Sequence, residues 1–345
     1  MSRRVTAVAA FALIALGASA CSSSSSTGGS GASGASSSGS SSSAAAGNAG
    51  KKYNLELIVG TKNDNFYVTM ECGAQAEAKR LGMGITVNGP ADFTVSEQKP
   101  LIDDAISTKP DGLLVAPTDT SALDPDLQQV QSNGTKVVFV DTSSSNTSLG
   151  VSRITSDNAE GGKMAADSLG AAIGGKGTVA VVTVKRGTST TDARVQGFQQ
   201  EMAAKYPNVK LLPVHYDDQD SSTVAASDIG GDISAHPDLG GVFAANVITA
   251  EGAATAVKSA GKSGKIKVAA FDAEPAEINA VQAGTIQMLV AQNPTAEGQD
   301  GVDQAVNSLE GKSVQASITS PLKVITKDNV SSPDVKPFIY VSGCS

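Results

Sequence analysis

The sequence predicts an α/β protein with two doubly wound parallel-sheet lobes, from the recurrence of its apolar runs, the pattern between them and their number. Short, nearly continuous apolar runs fall at 55–60, 85–88, 112–116, 136–140, 178–184, 209–216, 240–245, 266–271 and 286–291. Ala-rich stretches with helical spacing separate most of them, and strands buried on both faces by helical crossovers form parallel sheets. So many strands exceed one ordinary half-domain, and two sheets accommodate them more economically than one.

Ahead of these elements, Arg3 and Arg4 precede an apolar run at 5–16, then Gly17, Ala18, Ser19, Ala20 and Cys21, the order of a secretory signal. The run is shorter than the about 20 residues a membrane-spanning helix needs. Residues 22–47 are almost entirely Ser, Gly and Ala, which bury too little apolar surface to offset the entropy of ordering. Residues 22–50 therefore read as a disordered tether, and the chain as extracytoplasmic.

Composition narrows the partners. The formal net charge is −8 and becomes more negative once Arg3 and Arg4 leave, which argues against nucleic acid. His215 and His236 are the only histidines and neither lies near a cysteine, so no metal or other cofactor is expected. Beyond Cys21, the two cysteines Cys72 and Cys344 of an exported chain point to a disulfide, with a pair of buried thiols as the other outcome. A bond would pin the extreme C-terminus to the first helix.

The first unit sets the pattern for the rest. Leu55, Leu57, Ile58 and Val59 make a strand, and 68–81 a helix with Met70, Ala74, Ala78 and Leu81 on one face. In doubly wound sheets ligands bind beyond the carboxyl ends of the strands, where loops converge and helix N-termini point. Those ends carry Asn63, Asp64, Asn65, Phe66 and Tyr67, then Thr118 and Asp119, Asp141, Lys185, Arg186, Thr188, Ser189 and Asp192, Asn246, Asp272 and Gln292. Carboxylates and amides accept and donate to vicinal hydroxyls, and an aromatic face packs on the C–H face of a sugar. Helix capping accounts for any single Asp, Ser or Thr among them, but not for the whole set.

Other patterns carry no chemistry. Gly174-Gly175-Lys176-Gly177 precedes a strand instead of following one, which makes it a turn and not a phosphate loop. Asn146-Thr147-Ser148 is an ordinary loop. Asp217-Asp218-Gln219-Asp220 lacks the alternating ligands of a calcium loop and reads as a solvated cap with Gln219 facing the cleft.

The runs Lys62-Asn63-Asp64-Asn65-Phe66-Tyr67, Ala116-Pro117-Thr118-Asp119, Val140-Asp141, Ser156-Asp157-Asn158 with Gly161-Gly162-Lys163, Arg194 with Gly197-Phe198, Ala235-His236-Pro237-Asp238, Ala244-Ala245-Asn246, Ala270-Phe271-Asp272 and Ala291-Gln292 together resemble the periplasmic sugar-binding proteins of the ribose-binding type. The resemblance covers about 53–326. It implies the type I periplasmic-binding fold: two α/β lobes, 51–156 plus 293–321 and 157–292 plus 322–345, joined by a three-strand hinge, with a tail past the family's usual end. It implies a monomer that closes on one sugar and delivers it to the permease of an ABC importer. Cys21 would be lipid-modified as in a bacterial lipoprotein, anchoring the chain to the outer face of the membrane.

Carried over by position, the resemblance implies ligand contacts from Asp64, Phe66, Tyr67 and Asp141 in the first lobe. The second would contribute Arg186, Asp192, Gln219, Asn246, Asp272 and Gln292, while Arg194 matches a structural arginine. Ala116, Asp192, Gln219 and Val247 depart from the ribose pattern. Four carboxylates, Asp64, Asp141, Asp192 and Asp272, accept hydroxyl hydrogens and repel anions, which favours a neutral pyranose, polyol or cyclitol. Two other readings are a sugar sensor for a membrane kinase or chemoreceptor and a carbohydrate-active enzyme using Asp141 and Asp272. The latter pair has no activated nucleophile beside it, so the chain is read as a binder and not an enzyme.

Overall fold

In the computed structural model, which describes residues 52–344, strand and helix alternate along the chain. The first sheet takes β1 (Asn54–Ile58), β2 (Gly84–Asn88), β3 (Gly112–Val115), β4 (Lys136–Val140) and β5 (Ser152–Ser156), with α1 (Asn65–Arg80), α2 (Val95–Thr108) and α3 (Asp124–Ser132) between them. The second takes β6 (Gly177–Val184), β7 (Val209–Leu211), β8 (His215–Asp217), β9 (Leu239–Ala244), β10 (Lys267–Phe271) and β11 (Met288–Ala291). Its helices are α4 (Asn158–Ala172), α5 (Ser189–Lys205), α6 (Ser222–Ala235), α7 (Val247–Ser259) and α8 (Pro275–Ala283). Helix α9 (Pro294–Leu309) returns to pack on the first sheet, and β12 (Ser317–Ser320) and β13 (Lys323–Thr326) end the series, one in each sheet.

The strand orders are β12-β5-β4-β3-β1-β2 and β13-β11-β10-β9-β6-β7, with β8 beside β6. Pairings in the first sheet are all parallel, while β13 runs antiparallel to β11. The carboxyl ends of both sheets face each other. A strand leaving the first sheet at that edge and crossing in two residues, Pro321 and Leu322, enters the second sheet backwards, so the expectation of purely parallel sheets fails at this one edge. The chain also passes between sheets after Ser156 and after Ala291.

Departures from the sequence pattern are local. Strand β5 alternates buried and half-buried residues, and β12 buries only its last residue, so neither shows an apolar run. The run at 209–216 divides around Pro213, which has no N–H for a ladder. Helix α1 begins at Asn65 instead of 68 because the Asp64 carboxylate accepts the Phe66 N–H at 2.7 Å and caps it.

Helices pack closely in both lobes. Helices α4 and α5 meet at Gly162 and Gly197, where a Cβ on either would overlap backbone of the other, at Arg194 and Ala159 respectively. That closeness fixes α5, and with it Arg194. Past β13 the tail forms only a short 3-10 turn (Lys336–Phe338), buries Val330, Val335 and Tyr340, and ends at a Cys72–Cys344 disulfide with Cα atoms 5.1 Å apart. The secretory signal, Cys21 and the tether at 22–50 lie outside the described residues.

Candidate sugar site between the lobes

Between the facing strand ends lies a cavity lined from both lobes. Asp64, Phe66, Tyr67 and Asp141 line it from the first lobe, and Asn246, Asp272 and Gln292 from the second lobe and the crossover. The lobes touch around it: the Thr120 N–H donates to the Gly187 carbonyl at 3.2 Å, the Ser143 N–H to Ser189 Oγ at 3.0 Å, and the Lys185 ammonium to the Phe93 carbonyl at 3.1 Å.

Two aspartates occupy matching places. Asp141 follows β4, with φ of 60°, and its N–H donates to Ile154 on β5. Asp272 follows β10, with φ of 81°, and its N–H donates to Val290 on β11. A non-glycine residue in the left-handed region is strained, and here the strain aims both carboxylates into the cavity. Tyr67 donates its hydroxyl to Asp141 Oδ2 at 2.7 Å. Asp272 Oδ1 accepts from Gln292 Nε2 at 2.6 Å and from the Tyr340 hydroxyl at 2.8 Å, while Oδ2 lies 3.8 Å from Arg194 Nη1.

Burial shifts three acidic groups here, Asp141, Asp64 and Glu297, upward. It raises the Asp141 pKa to about 6, against the lowering effects of Arg194 and the Tyr67 hydrogen bond. It holds Asp64 well above the usual carboxylate range, and the nearby Asp272 adds to the effect. Glu297, whose Oε1 accepts the Ser156 hydroxyl at 2.8 Å at the first crossover, is likewise raised by burial and by Asp141. Several buried polar atoms around the cavity have no hydrogen-bond partner: Gln292 Oε1, Thr188 Oγ1 and Thr191 Oγ1. Such groups cost free energy unless something fills them, and a hydroxyl-bearing ligand would.

Three of the expected contacts stand elsewhere. Asp192 Oδ2 accepts the Gly187 N–H at 2.9 Å and braces its own loop. Arg186 is exposed and stacks on Tyr216, 3.6 Å from the ring centre. Gln219 lies in the outer, acidic mouth of the cleft, because Asp217 accepts both the Gln219 and Ser221 N–H groups and tightens the turn until Asp220, at φ of 48°, points inward instead. Asp119 caps Ser121 and Ala122 and is not among the lining residues.

Arg194 lines the cavity, contrary to its expected structural place. It donates to Asn158 Oδ1 at 2.7 Å and to the Ala245 carbonyl at 2.9 Å, and lies over the Phe271 ring. The cavity therefore holds an arginine although Asp192 departs from the ribose pattern. Thr190, Thr191 and Arg194 share the first turns of α5, a spacing legible once the helix is known to start at Ser189. Phe93, in the loop after β2, had no such signal.

Two opposed α/β lobes closing on carboxylates, amides and aromatic rings define a cleft-type solute-binding protein. The periplasmic binding protein domain family matches residues 55–313, and the chain belongs to it. It is 32% identical to the ribose import binding protein RbsB of Bacillus subtilis (strain 168), over 80% of this chain and 88% of that protein. Its counterpart in Escherichia coli (strain K12) is 34% identical over 81% and 92%. An ABC transporter solute-binding protein from Agrobacterium vitis, bound to α-D-tagatopyranose, is similar in structure, with a TM-score of 0.82 and 40% identity over 84% of this chain and 100% of that one. A second from the same organism, with bound D-fucose, gives 0.79 and 29% over 83% and 100%.

Proposed function

We propose that this chain is the extracytoplasmic binding component of an ABC importer, taking one neutral monosaccharide, polyol or cyclitol into the interlobe cavity and presenting it to the permease. The observation that carries this reading is the cavity itself. Carboxylates of Asp64, Asp141, Asp220 and Asp272 surround a single lining cation, Arg194, so hydroxyl donors are favoured and anions repelled. Phe66 and Phe93 offer faces for the sugar's C–H groups. A ligand touching both lobes binds the closed arrangement better and shifts the population toward it, the two lobes turning against each other while Cys344 stays bonded to Cys72 of the first.

A thermal-shift screen of D-ribose, D-allose, D-tagatose, D-fucose, D-arabinose, a hexitol and myo-inositol tests the reading, since a ligand of the native state raises its unfolding midpoint. At least one is expected to do so without being chemically changed. No shift with any, or turnover of the sugar, would overturn it.

We also propose that Cys21 is lipid-modified and that 22–50 tethers the lobes to the membrane's outer face. A Cys21→Ser chain is expected in the medium or periplasm and the wild type in the membrane fraction; equal partition of the two would refute the anchor.

A further inference from the structure

The two cavity aspartates are built alike, but the phenol that holds each comes from a different source. Asp141 is held by Tyr67, in the first turn of the first lobe's own helix α1. Helix α5 follows the second lobe's first strand as α1 follows β1, yet brings Thr190, Thr191 and Arg194 to the cavity and no phenol. Asp272 takes its phenol from Tyr340, in the tail past β13. That ring is 2% exposed and packs edge-on to Phe66 with ring centres 5.6 Å apart, while Phe66 packs edge-on to Tyr67 at 5.1 Å.

The tail reaches this place by a fourth passage between the lobes. The Tyr340 N–H donates to the Ala273 carbonyl at 3.1 Å, beside β10. The next N–H, of Val341, donates to Thr69 Oγ1 on α1 at 2.8 Å, and Cys344 is bonded to Cys72 on the same helix. The disulfide thus fastens the segment that carries Tyr340 over Asp272. With Oδ1 occupied by the Tyr340 and Gln292 donors, the carboxylate is held in one rotation and Oδ2 is left for the ligand; without them its terminal torsion is soft.

We propose that Tyr340 is a positioning residue of the ligand site, held on Asp272 by the disulfide-fastened C-terminal tail, so that ligand affinity depends on Cys72–Cys344. The affinity readout rests on the sugar-binding function proposed above. Calorimetric titration with the best-binding sugar of the panel compares the full-length wild type with Tyr340→Phe, with the Cys72→Ser/Cys344→Ser pair and with all three changes together. Tyr340→Phe and the serine pair are each expected to weaken binding about tenfold, the value of one hydrogen bond to a charged group. The triple variant should lose no more than the larger of these two losses, because both act through one hydroxyl. If the disulfide only supports folding, its removal would lower the unfolding midpoint and leave affinity at the wild-type value, and losses that add in the triple variant would equally overturn the proposal. Tyr340→Phe keeps the disulfide and the ring packing, so it decides the matter where the serine pair fails to fold.

If no panel sugar binds the wild type, the function above fails and the tail is judged by hydrogen exchange of the ligand-free protein. The serine pair should then speed exchange at the Asp272, Tyr340 and Val341 amides. Unchanged exchange there would overturn the tail's part in the site.

Discussion

Asp272→Asn is expected to weaken binding of the best panel sugar about a hundredfold while leaving the protein folded. The upper end of the range for hydrogen bonds to charged groups, about 3 kcal/mol, corresponds to that factor. The amide oxygen takes the place of Oδ1 and still accepts from Tyr340 and Gln292, so the buried donors stay satisfied. The amide nitrogen takes the place of Oδ2, and a donor then faces the sugar hydroxyl that a carboxylate oxygen would have received. Isothermal titration calorimetry measures the loss, and a circular dichroism melt of the same samples shows whether the fold survived. Affinity within about threefold of wild type would mean that Asp272 does not touch the sugar.

Acidification from about pH 7 to about pH 5 is expected to weaken binding about tenfold through Asp141, whose burial raises its pKa to about 6 in the empty cavity. Sugar hydroxyls donate to the carboxylate and favour its ionised form, so the complex has the lower pKa and affinity falls as pH drops through about 6. Stability of the empty protein moves the other way. A carboxyl whose folded pKa lies above its unfolded value contributes stability below the unfolded value and loses it as pH rises through the folded one. Asp64 and Glu297, also raised by burial, act in the same sense. Titration and melting across this range check both, and an affinity independent of pH would remove Asp141 from the contact set. Opposite slopes for affinity and empty-state stability would separate this linkage from general acid damage, which lowers both.

Much of the site was legible because strand ends are a one-dimensional signal. Asp141, Asn246, Asp272 and Gln292 each follow an apolar run directly, Asp64 follows one within four residues, and the fold collects such positions into one cavity. Residues set deeper in a loop or helix were not legible in that way. Asp192 and Arg194 lie two residues apart on α5, and only the helix phase, fixed by its close packing on α4 at Gly162 and Gly197, turns Arg194 to the cavity and leaves Asp192 on its loop. Gln219 and Asp220 are neighbours in an acidic turn, and the hydrogen bonds of Asp217 decide which of them points inward.

The sequence by itself determined the alternation of strands and helices, the two lobes and the acidic, amide-rich character of the strand ends, because burial period and turn chemistry are local properties. Tertiary structure alone decided that β13 enters its sheet backwards, that Arg194 and Asp220 face the cavity, and that a tail beginning after β13 lays Tyr340 on Asp272. Those outcomes depend on which segments distant in the chain arrive at the same place. Cys72 and Cys344 show the boundary between the two: their number suggested a bond, and only the folded path of the tail shows that the bond fastens a residue of the site.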